Sequence, residues 1–269
     1  MRPLGLVGSL SIDRIEGGPP QPGGAPFHAA RALRLLARPA LVVTRCATTD
    51  RAELVPPLAA LGLPVTCLDG EATSTFAFRY EGDVRHFEVV SAGDPWTAEE
   101  ARRLRQGALA DVDWLHVGPV LRSDFPAETL AELADGRRLS FDAQGLVRRP
   151  EAGPLQLDAD FDPALLEHVS ILKLAEEEAI AAVGSLEPEA LAALGPREIL
   201  VTFGSRGALV VVDGKAERVK AHPIEADPTG AGDAFAAGYL ASRAVGLAPV
   251  AAARRATSLV GTLLAGRLR

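Results

Sequence analysis

Short apolar runs alternate with amphipathic stretches along most of the chain, and this alternation constrains the fold more than any other feature. Strands are predicted at residues 4–7, 40–44 and 64–68, with helices between them at residues 27–36 and 50–61. A strand, a crossover helix and the next strand form a βαβ unit, which builds a parallel sheet. The sequence therefore predicts an α/β fold with a mostly parallel, Rossmann-like central sheet flanked by helices.

The same alternation continues in the second half of the chain. A stretch rich in Gly, Pro, Arg and Asp at residues 143–160 is predicted to be a long loop, which in a compact domain is usually functional or mobile. The remaining predicted strands are residues 114–118, 139–142, 169–172, 198–202, 208–212 and 217–221, and the remaining helices are residues 125–134, a segment opening at residue 176, 231–245 and 249–265. The whole chain, residues 1–269, is interpreted as a single domain.

One segment breaks the alternation. Two β-rich runs of mixed polarity, residues 73–80 and 84–90, are joined by Glu81-Gly82-Asp83, which indicates a β-hairpin. A hairpin inserted between βαβ units projects from the main sheet. We therefore predict a small β lid from residues 70–91 together with residues 9–25; the alternative is an edge hairpin without a function.

Charge and composition exclude several classes of protein. The net charge of -7 argues against a nucleic-acid partner, because the phosphate backbone requires a basic surface. No stretch approaches the ~18 consecutive apolar residues of a membrane span, and the first residues lack a secretory pattern. Two isolated cysteines, Cys46 and Cys67, are typical of a reducing compartment. We expect a cytoplasmic protein that binds neither membranes nor nucleic acid.

The most specific motif is the run from Asp227 to Gly238, a loop of small residues that enters an Ala-rich helix. Gly230, Ala231 and Gly232 have no bulk that would keep an anion from the free amides of the first helical turn. The positive end of the helix dipole acts at the same place. The run therefore predicts an anion site at the start of this helix.

Asp233 lies in the same helical turn, where its carboxylate could accept a proton from a hydroxyl nucleophile. The alternative is structural: Asp227 or Thr229 would cap the helix, and Asp233 would only favour the helix dipole. A bare pair of glycines would favour that alternative. The complete order acid–Pro–Thr–Gly–Ala–Gly–Asp, followed by a helix of small residues, favours a catalytic site.

At this motif the chain resembles the ribokinase-like (PfkB) family of sugar, polyol and nucleoside kinases, whose C-terminal signature fits residues 227–240. Residues 8–13, Gly-Ser-Leu-Ser-Ile-Asp, are similar to the family's first strand and substrate-binding aspartate. Residues 22–26 resemble its glycine pair, and residues 201–208 resemble its nucleotide-binding turn TxGxxGA. The resemblance implies a Rossmann-like core with a small β lid that transfers the γ-phosphoryl group of ATP to an alcohol.

The resemblance also implies individual roles. Asp233 would be the general base, and the amides of Gly230, Ala231 and Gly232 would form the anion hole. The acceptor pocket would be lined by Asp13, Gly23 and Gly24, and the nucleotide would lie beside Thr202, Gly204 and Gly207. Taken alone, Asp13 could be a turn residue and the two glycines an ordinary loop.

One motif departs from the family pattern. The family carries NxxE after a central strand, linked to Mg²⁺ and phosphate, whereas this chain has Ala175-Glu176-Glu177-Glu178. Glu178 keeps the glutamate as a candidate metal-shell residue, but alanine cannot hold a metal-bound water. The alternative is that these acidic residues only favour a helix N-terminus.

Two further stretches resemble a branch of the family that contains archaeal myo-inositol kinases. Residues 141–148 fit D-x-Q-G-[FL]-x-R, so that Asp142 and Gln144 either bind polyol hydroxyls or cap the strand end. Residues 253–259 of the last helix resemble the same branch, and that helix would flank the adenine pocket. Thr257 is therefore a candidate nucleotide contact.

These observations together predict an ATP- and Mg²⁺-dependent kinase of a small polyol or sugar. The alternatives are a nucleoside kinase of the same family and a ligand-binding homologue with weak catalysis, for which Ala175 is the only support. An exposed β lid could also pair with a second copy of the chain as a homodimer. The sequence does not fix the acceptor, the hydroxyl that is phosphorylated, the dependence on monovalent ions or the oligomeric state.

Overall fold

Strands and helices alternate along the chain in the computed structural model, which describes residues 2–81, 84–224 and 226–267. In chain order the strands are β1 (Leu4–Ser9), β2 (Ser11–Ile15), β3 (Gln21–Gly23), β4 (Ala40–Ala47), β5 (Val65–Gly70), β6 (Ser74–Glu81), β7 (Val84–Ser91), β8 (Trp114–Val117), β9 (Arg138–Asp142), β10 (Gly153–Pro154), β11 (Ile171–Ala175), β12 (Glu198–Thr202), β13 (Ala208–Val212) and β14 (Lys215–Val219). The helices are α1 (Ala25–Leu35), α2 (Arg51–Ala59), α3 (Ala98–Gln106), α4 (Ala127–Ala134), α5 (Gln144–Val147), α6 (Glu176–Val183), α7 (Pro188–Ala192), α8 (Ala231–Ala244) and α9 (Pro249–Arg267).

The central sheet has the strand order β14-β13-β12-β11-β9-β8-β1-β4-β5. Every neighbouring pair from β12 to β5 is parallel, and β13 and β14 add an antiparallel edge. The prediction of a mostly parallel sheet is therefore confirmed. The carboxyl ends of its parallel strands lie at one edge, which is where ligands gather in α/β sheets.

Both faces of the central sheet are buried, as parallel sheets require. Val117, Phe141 and Leu172 point to the face that is covered by α3 to α7. Ile171 and Leu200 point to the opposite face, which packs on α1, α2, α8 and α9. The alternation of side chains along each strand thus supplies two apolar cores from one sheet. Within the described residues, no helix combines the length and the apolar character that a membrane crossing needs.

A second sheet, with strand order β10-β7-β6-β2-β3, projects from the first. The predicted hairpin is its centre, since β6 and β7 pair in antiparallel register. Its turn at Gly82-Asp83 lies outside the described residues. Strands β2 and β3 come from the segment that was assigned to the lid, residues 9–25. We name these five strands the lid sheet, or lid, after that prediction. Its role as a lid stays a prediction.

The structure corrects the prediction of a long loop at residues 143–160. That segment contains α5. At the start of this helix, the Asp142 carboxylate accepts a hydrogen bond from the Gln144 amide at 3.2 Å. It also contains β10, whose residues pair with β7 through backbone groups alone. Neither element is long enough to show a period in the sequence. The last predicted sheet strand, residues 217–221, is also displaced and begins at Lys215.

Helix α3 was missed because it is charged on most of its surface. Its start is a capping box, in which Thr97 Oγ1 accepts from the Glu100 amide at 3.2 Å and Glu100 accepts from the Thr97 amide at 2.9 Å. Such a box identifies a helix start in sequence as well. Only Ala101 and Leu104 of this helix are buried, so its apolar periodicity is weak.

An ion pair between a partly buried arginine and a buried glutamate fixes the far end of α8 to the sheet. Arg243 Nη2 lies 2.6 Å from Glu198 Oε1, and Tyr239 Oη donates to Glu198 Oε2 at 2.5 Å. We expect Arg243→Met to lower the free energy of unfolding by about 3 kcal/mol, because it leaves a buried carboxylate without its cation. Urea unfolding measures this change. Because the pair lies at the opposite end of α8 from Asp233, activity per folded molecule should not change, and a loss of that activity would contradict this assignment.

Candidate active site

The first turn of α8 lies at the carboxyl edge of the sheet, and two glycines allow it to lie there. A Cβ on Gly230 would be 2.3 Å from His28 Cγ, and Gly230 has a φ of 75°. A Cβ on Gly232 would be 2.9 Å from Lys173 Nζ. A side chain at Gly230 would therefore push the turn away from His28, and one at Gly232 would require the Lys173 ammonium to move.

The amides of this turn are only partly used by the protein. The Ala231 amide donates to the Pro228 carbonyl at 2.9 Å, so this amide is not free for the predicted anion-hole role. The amides of Gly230 and Gly232 donate to no acceptor among the described residues, and no side chain from these residues caps the helix. Asp227 Oδ1 accepts from the Thr229 amide at 3.0 Å, which shapes the loop that enters the turn.

Asp233 is buried, and its Oδ1 has no hydrogen-bond partner among the described residues. Burial raises the pKa of this carboxyl, while the nearby Lys173 ammonium acts in the opposite direction. A buried carboxylate oxygen that lines a cavity and has no partner is suited to accept a proton. The predicted general base is thus placed where that role is chemically feasible.

A cavity of about 540 Å³ opens between the lid sheet and the carboxyl edge of the central sheet. Asp13, Gly24 and Gln144 line it, as the sequence predicted for acceptor binding. Ser11 Oγ donates to Asp13 Oδ1 at 2.9 Å, which orients that carboxylate. A Cβ on Gly23 would lie 2.3 Å from Asp13 Oδ2, so Gly23 leaves room for the carboxylate. The structure brings these four predicted residues together.

Asp142 does not line this cavity, although the sequence placed it among the acceptor contacts. It is 0% exposed, its Oδ1 accepts from the Gln144 amide, and its Oδ2 lies 3.1 Å from Lys173 Nζ. The buried ammonium draws the carboxylate inward. The structure therefore favours the other option, a residue that completes the end of β9.

The lid forms an aromatic wall of the same cavity, which the sequence analysis did not assign to the site. Phe76 and Phe78 contact Phe87 with ring centroids 5.1 and 4.7 Å apart. All three rings line the cavity. The Arg148 guanidinium lies 5.5 Å from the Phe87 centroid and also donates to Glu178 Oε1 at 3.1 Å. Alternating Phe residues in a hairpin were the available signal.

Lys173 is the second residue that the sequence analysis missed. It is buried in β11 and lies between Asp142 and the first turn of α8. A lysine inside the apolar run of residues 171–174 was the signal that could have identified it, because an unpaired charge is not tolerated in a buried strand.

Both carboxylate oxygens of Glu178, the predicted metal-shell residue, have protein partners. Oε1 accepts from Arg148, and Oε2 accepts from the Ala175 amide at 2.8 Å. The described residues hold no cluster of three or more His, Cys, Asp or Glu side chains that could bind a metal. Glu176 and Glu177 lie beside Glu178 on the cavity wall. This donor set fits a Mg²⁺ ion held chiefly by donor phosphates and waters, with one carboxylate added, rather than a dedicated protein cage.

A second cavity, of about 690 Å³, lies on the other side of the α8 turn between that turn and α9. All the predicted nucleotide contacts line it: Thr202, Gly204, Gly207 and Thr257. Apolar side chains, among them Ile224, Phe235 and Val260, form the rest of its wall. Ala231 and Gly232 line both cavities, so the first turn of α8 (residues 230–233) lies between them. After the roles that the sequence predicted for their lining residues, we name this turn the anion turn, the first cavity the acceptor chamber and the second the donor chamber.

A family model for the pfkB family of carbohydrate kinases matches residues 20–264. The chain belongs to this family. The resemblance noted in the sequence is therefore confirmed, and the protein is a phosphotransferase with an alcohol group as acceptor. Among curated proteins, a fructokinase of Salmonella thompson is 32% identical over 189 residues, which is 65% of this chain and 77% of the fructokinase.

Solved structures share the fold of this pfkB-family kinase. A pyrophosphate-dependent kinase in the ribokinase family, complexed with a pyrophosphate analogue and myo-inositol, superposes with a TM-score of 0.81 at 24% identity, covering 97% of this chain and 95% of that one. An Arabidopsis thaliana ribokinase complexed with ribose and ATP gives a TM-score of 0.75 at 20% identity, covering 98% and 93%. At these identities the likeness shows the ribokinase-like fold alone.

The raised pKa of Asp233 predicts the acid side of the pH–rate profile of this kinase. The base must be ionised to act, so kcat/KM, which reports the free enzyme, should fall as the pH drops through a pKa above the ordinary aspartate value of 3.8. Burial lowers the pKa of His116 to about 4, so this histidine stays neutral across the neutral range. Initial rates from pH 4 to 9 measure the acid limb. A limb at or below the ordinary value, with the fold intact, would contradict the assignment of Asp233.

Proposed function

We propose that this protein is an ATP-dependent kinase that transfers the γ-phosphoryl group to a hydroxyl of a small polyol or sugar. One observation carries the proposal: the turn containing Gly230, Ala231 and Gly232 stands between two chambers, and Asp233 faces the acceptor chamber. A hydroxyl held at that boundary meets a proton acceptor and anion-binding amides at once. This arrangement suits in-line phosphoryl transfer, which depends chiefly on positioning and charge stabilisation.

In this mechanism the carboxylate of Asp13, oriented by Ser11, accepts hydrogen bonds from the acceptor. Asp233 Oδ1 takes the proton of the attacking hydroxyl. The amides of Gly230 and Gly232, which donate to no acceptor within the described part of the chain, hold the negative charge of the phosphoryl group. A donor-bound Mg²⁺ supplies charge neutralisation of the phosphates. Glu178, Glu176 and Glu177 line the same cavity and would be the carboxylates available to such an ion.

The shape of the donor chamber supports a nucleoside triphosphate rather than inorganic diphosphate. A diphosphate would fill only the region beside the anion turn. The chamber continues between α8 and α9 over a wall that includes Ile224, Phe235 and Val260, and an apolar slot of this kind suits a planar base. Because the chain also shares its fold with a pyrophosphate-dependent kinase, the test includes both donors.

The acceptor chamber supports a compact polyhydroxylated ring. Asp13 and Gln144 offer polar groups on one side, and the aromatic wall of the lid offers an apolar surface on the other. A sugar or inositol ring has hydroxyls at its edge and C–H groups on its faces. The stack of Phe76 on Phe87 also favours a second candidate, a nucleoside whose base would lie against these rings.

The proposed activity is tested by product release from a matrix of donors and acceptors. ATP and inorganic diphosphate are each combined with inositols, hexoses, pentoses and nucleosides, in the presence of Mg²⁺. Asp233→Asn should lower kcat by roughly 10²–10⁴-fold, because the general base is lost. Asp69→Asn, which changes an exposed carboxylate to an amide outside both chambers, is the matched control and should retain full activity. Transfer by the Asp233→Asn variant at the normal rate would contradict the mechanism.

A bulky side chain placed in the donor chamber should impair the use of ATP and leave the use of diphosphate unchanged. Gly261 lies in α9 at the chamber wall, and a Cβ there would be 3.6 Å from Ile224 Cδ1. Gly261→Phe should raise the KM for ATP by at least about tenfold, since the ring occupies the space of the base. Activity with diphosphate, where present, should not change.

The control for this variant is Gly266→Phe, in the same helix. A Cβ on Gly266 would contact nothing within 4 Å, so this change tests the cost of replacing a helical glycine by phenylalanine without filling the chamber. Equal KM values for ATP in both variants and the unmodified protein would show that the base does not bind between α8 and α9.

A further inference from the structure

Lys173 occupies an unusual position for a charged side chain. It lies in β11 between buried apolar residues, and its side chain is 4% exposed. The strand is buried on both faces of the sheet, so an ammonium group there requires partners that replace water. The mechanism proposed above gives Lys173 no role.

The ammonium of Lys173 contacts acidic groups on two elements and supports a third. Its Nζ lies 3.1 Å from Asp142 Oδ2 on β9 and 4.0 Å from Glu178 Oε2 on α6. From below, it approaches Gly232 so closely that a Cβ at that residue would be 2.9 Å away. The positive charge therefore lies directly beneath the anion turn of α8.

Lys173 offsets part of an excess of negative charge around this point. Asp142, Glu178 and Asp233 bring three buried carboxylates to one region, and His116 stays neutral there. Only Arg148, which pairs with Glu178, adds a second cation from the described residues around this group. Without Lys173, an anionic phosphoryl donor would approach an excess of negative charge in a poorly solvated place.

We propose that Lys173 is a positioning residue for phosphoryl transfer: its buried ammonium offsets one charge of the carboxylates beneath the anion turn and, through Gly232, holds that turn ready for an anionic donor. The inference rests on the proposed function for its role in catalysis. Its effect on anion binding is independent of which donor or acceptor the enzyme uses.

The test uses inorganic diphosphate as the probe and two variants that each remove one paired cation from the full chain. Lys173→Met removes the buried charge under the anion turn, and Arg243→Met removes a partly buried charge at the opposite end of α8. Diphosphate binding is measured by calorimetry and by the shift in thermal unfolding. The dissociation constant should rise at least about tenfold in Lys173→Met and stay within about twofold in Arg243→Met.

Lys173→Gln provides a second variant in case Lys173→Met does not fold. Its amide can still donate to Asp142, so the fold is supported while the charge is absent. The same rise in the dissociation constant is expected. Binding of diphosphate by either folded variant as tightly as by the unmodified protein would overturn the proposal, and so would the absence of diphosphate binding by the unmodified protein.

Steady-state kinetics separate this role from simple support of the fold. With a donor and acceptor pair that the product-release assay identifies, kcat per folded molecule should fall roughly 10²-fold in Lys173→Gln, as for loss of one anion-stabilising group, while the KM for the acceptor changes little. A merely structural lysine would lower stability and leave kcat of the folded fraction unchanged. If no donor and acceptor pair is active but the diphosphate effect is observed, the proposed function fails and the anion-binding role of Lys173 stands.

Discussion

The site depends on the close contact between the first turn of α8 and the side chains beneath it. Gly230 lies against His28, and Gly232 lies above Lys173, at distances that leave no room for a Cβ. This contact sets the depth of the helix over the sheet. Because Asp233 is carried by the same turn, the depth also decides where the proposed base meets the acceptor chamber. The position of one helix thus places the anion site and the base together.

Much of the fold could be predicted because the relevant patterns are local. Buried parallel strands are short and apolar, and the helices between them carry caps and periodic faces, so the alternation is visible without any partner. The lid strands β2, β3 and β10 could not be predicted in this way, since they are held by backbone pairing with distant segments. The start of α8 could also be predicted, because the residues of its first turn are contiguous in the sequence.

The partners of charged residues could not be predicted from spacing. Asp142 and Glu178 were both assigned to ligands, yet each has buried protein partners on another element. Ala175, which replaces the family asparagine, contributes only its amide, which donates to Glu178. A sequence shows that an acidic residue is near a site, but burial and the nearest cation decide whether its oxygens face a ligand or the protein. For that reason Lys173, a single charged residue in an apolar run, was the sequence feature that indicated a buried cation.

Arg148 connects these buried charges to the lid. Its guanidinium donates to Glu178 on the core side and lies over Phe87 on the lid side. A guanidinium can serve both contacts because its edge donates hydrogen bonds while its face packs on an aromatic ring. A change in the position of the lid therefore changes the environment of the acidic cluster, and a change of charge in the cluster alters the support of the aromatic wall. The aromatic wall and the buried charges under the anion turn are in this way parts of one electrostatic and packing unit.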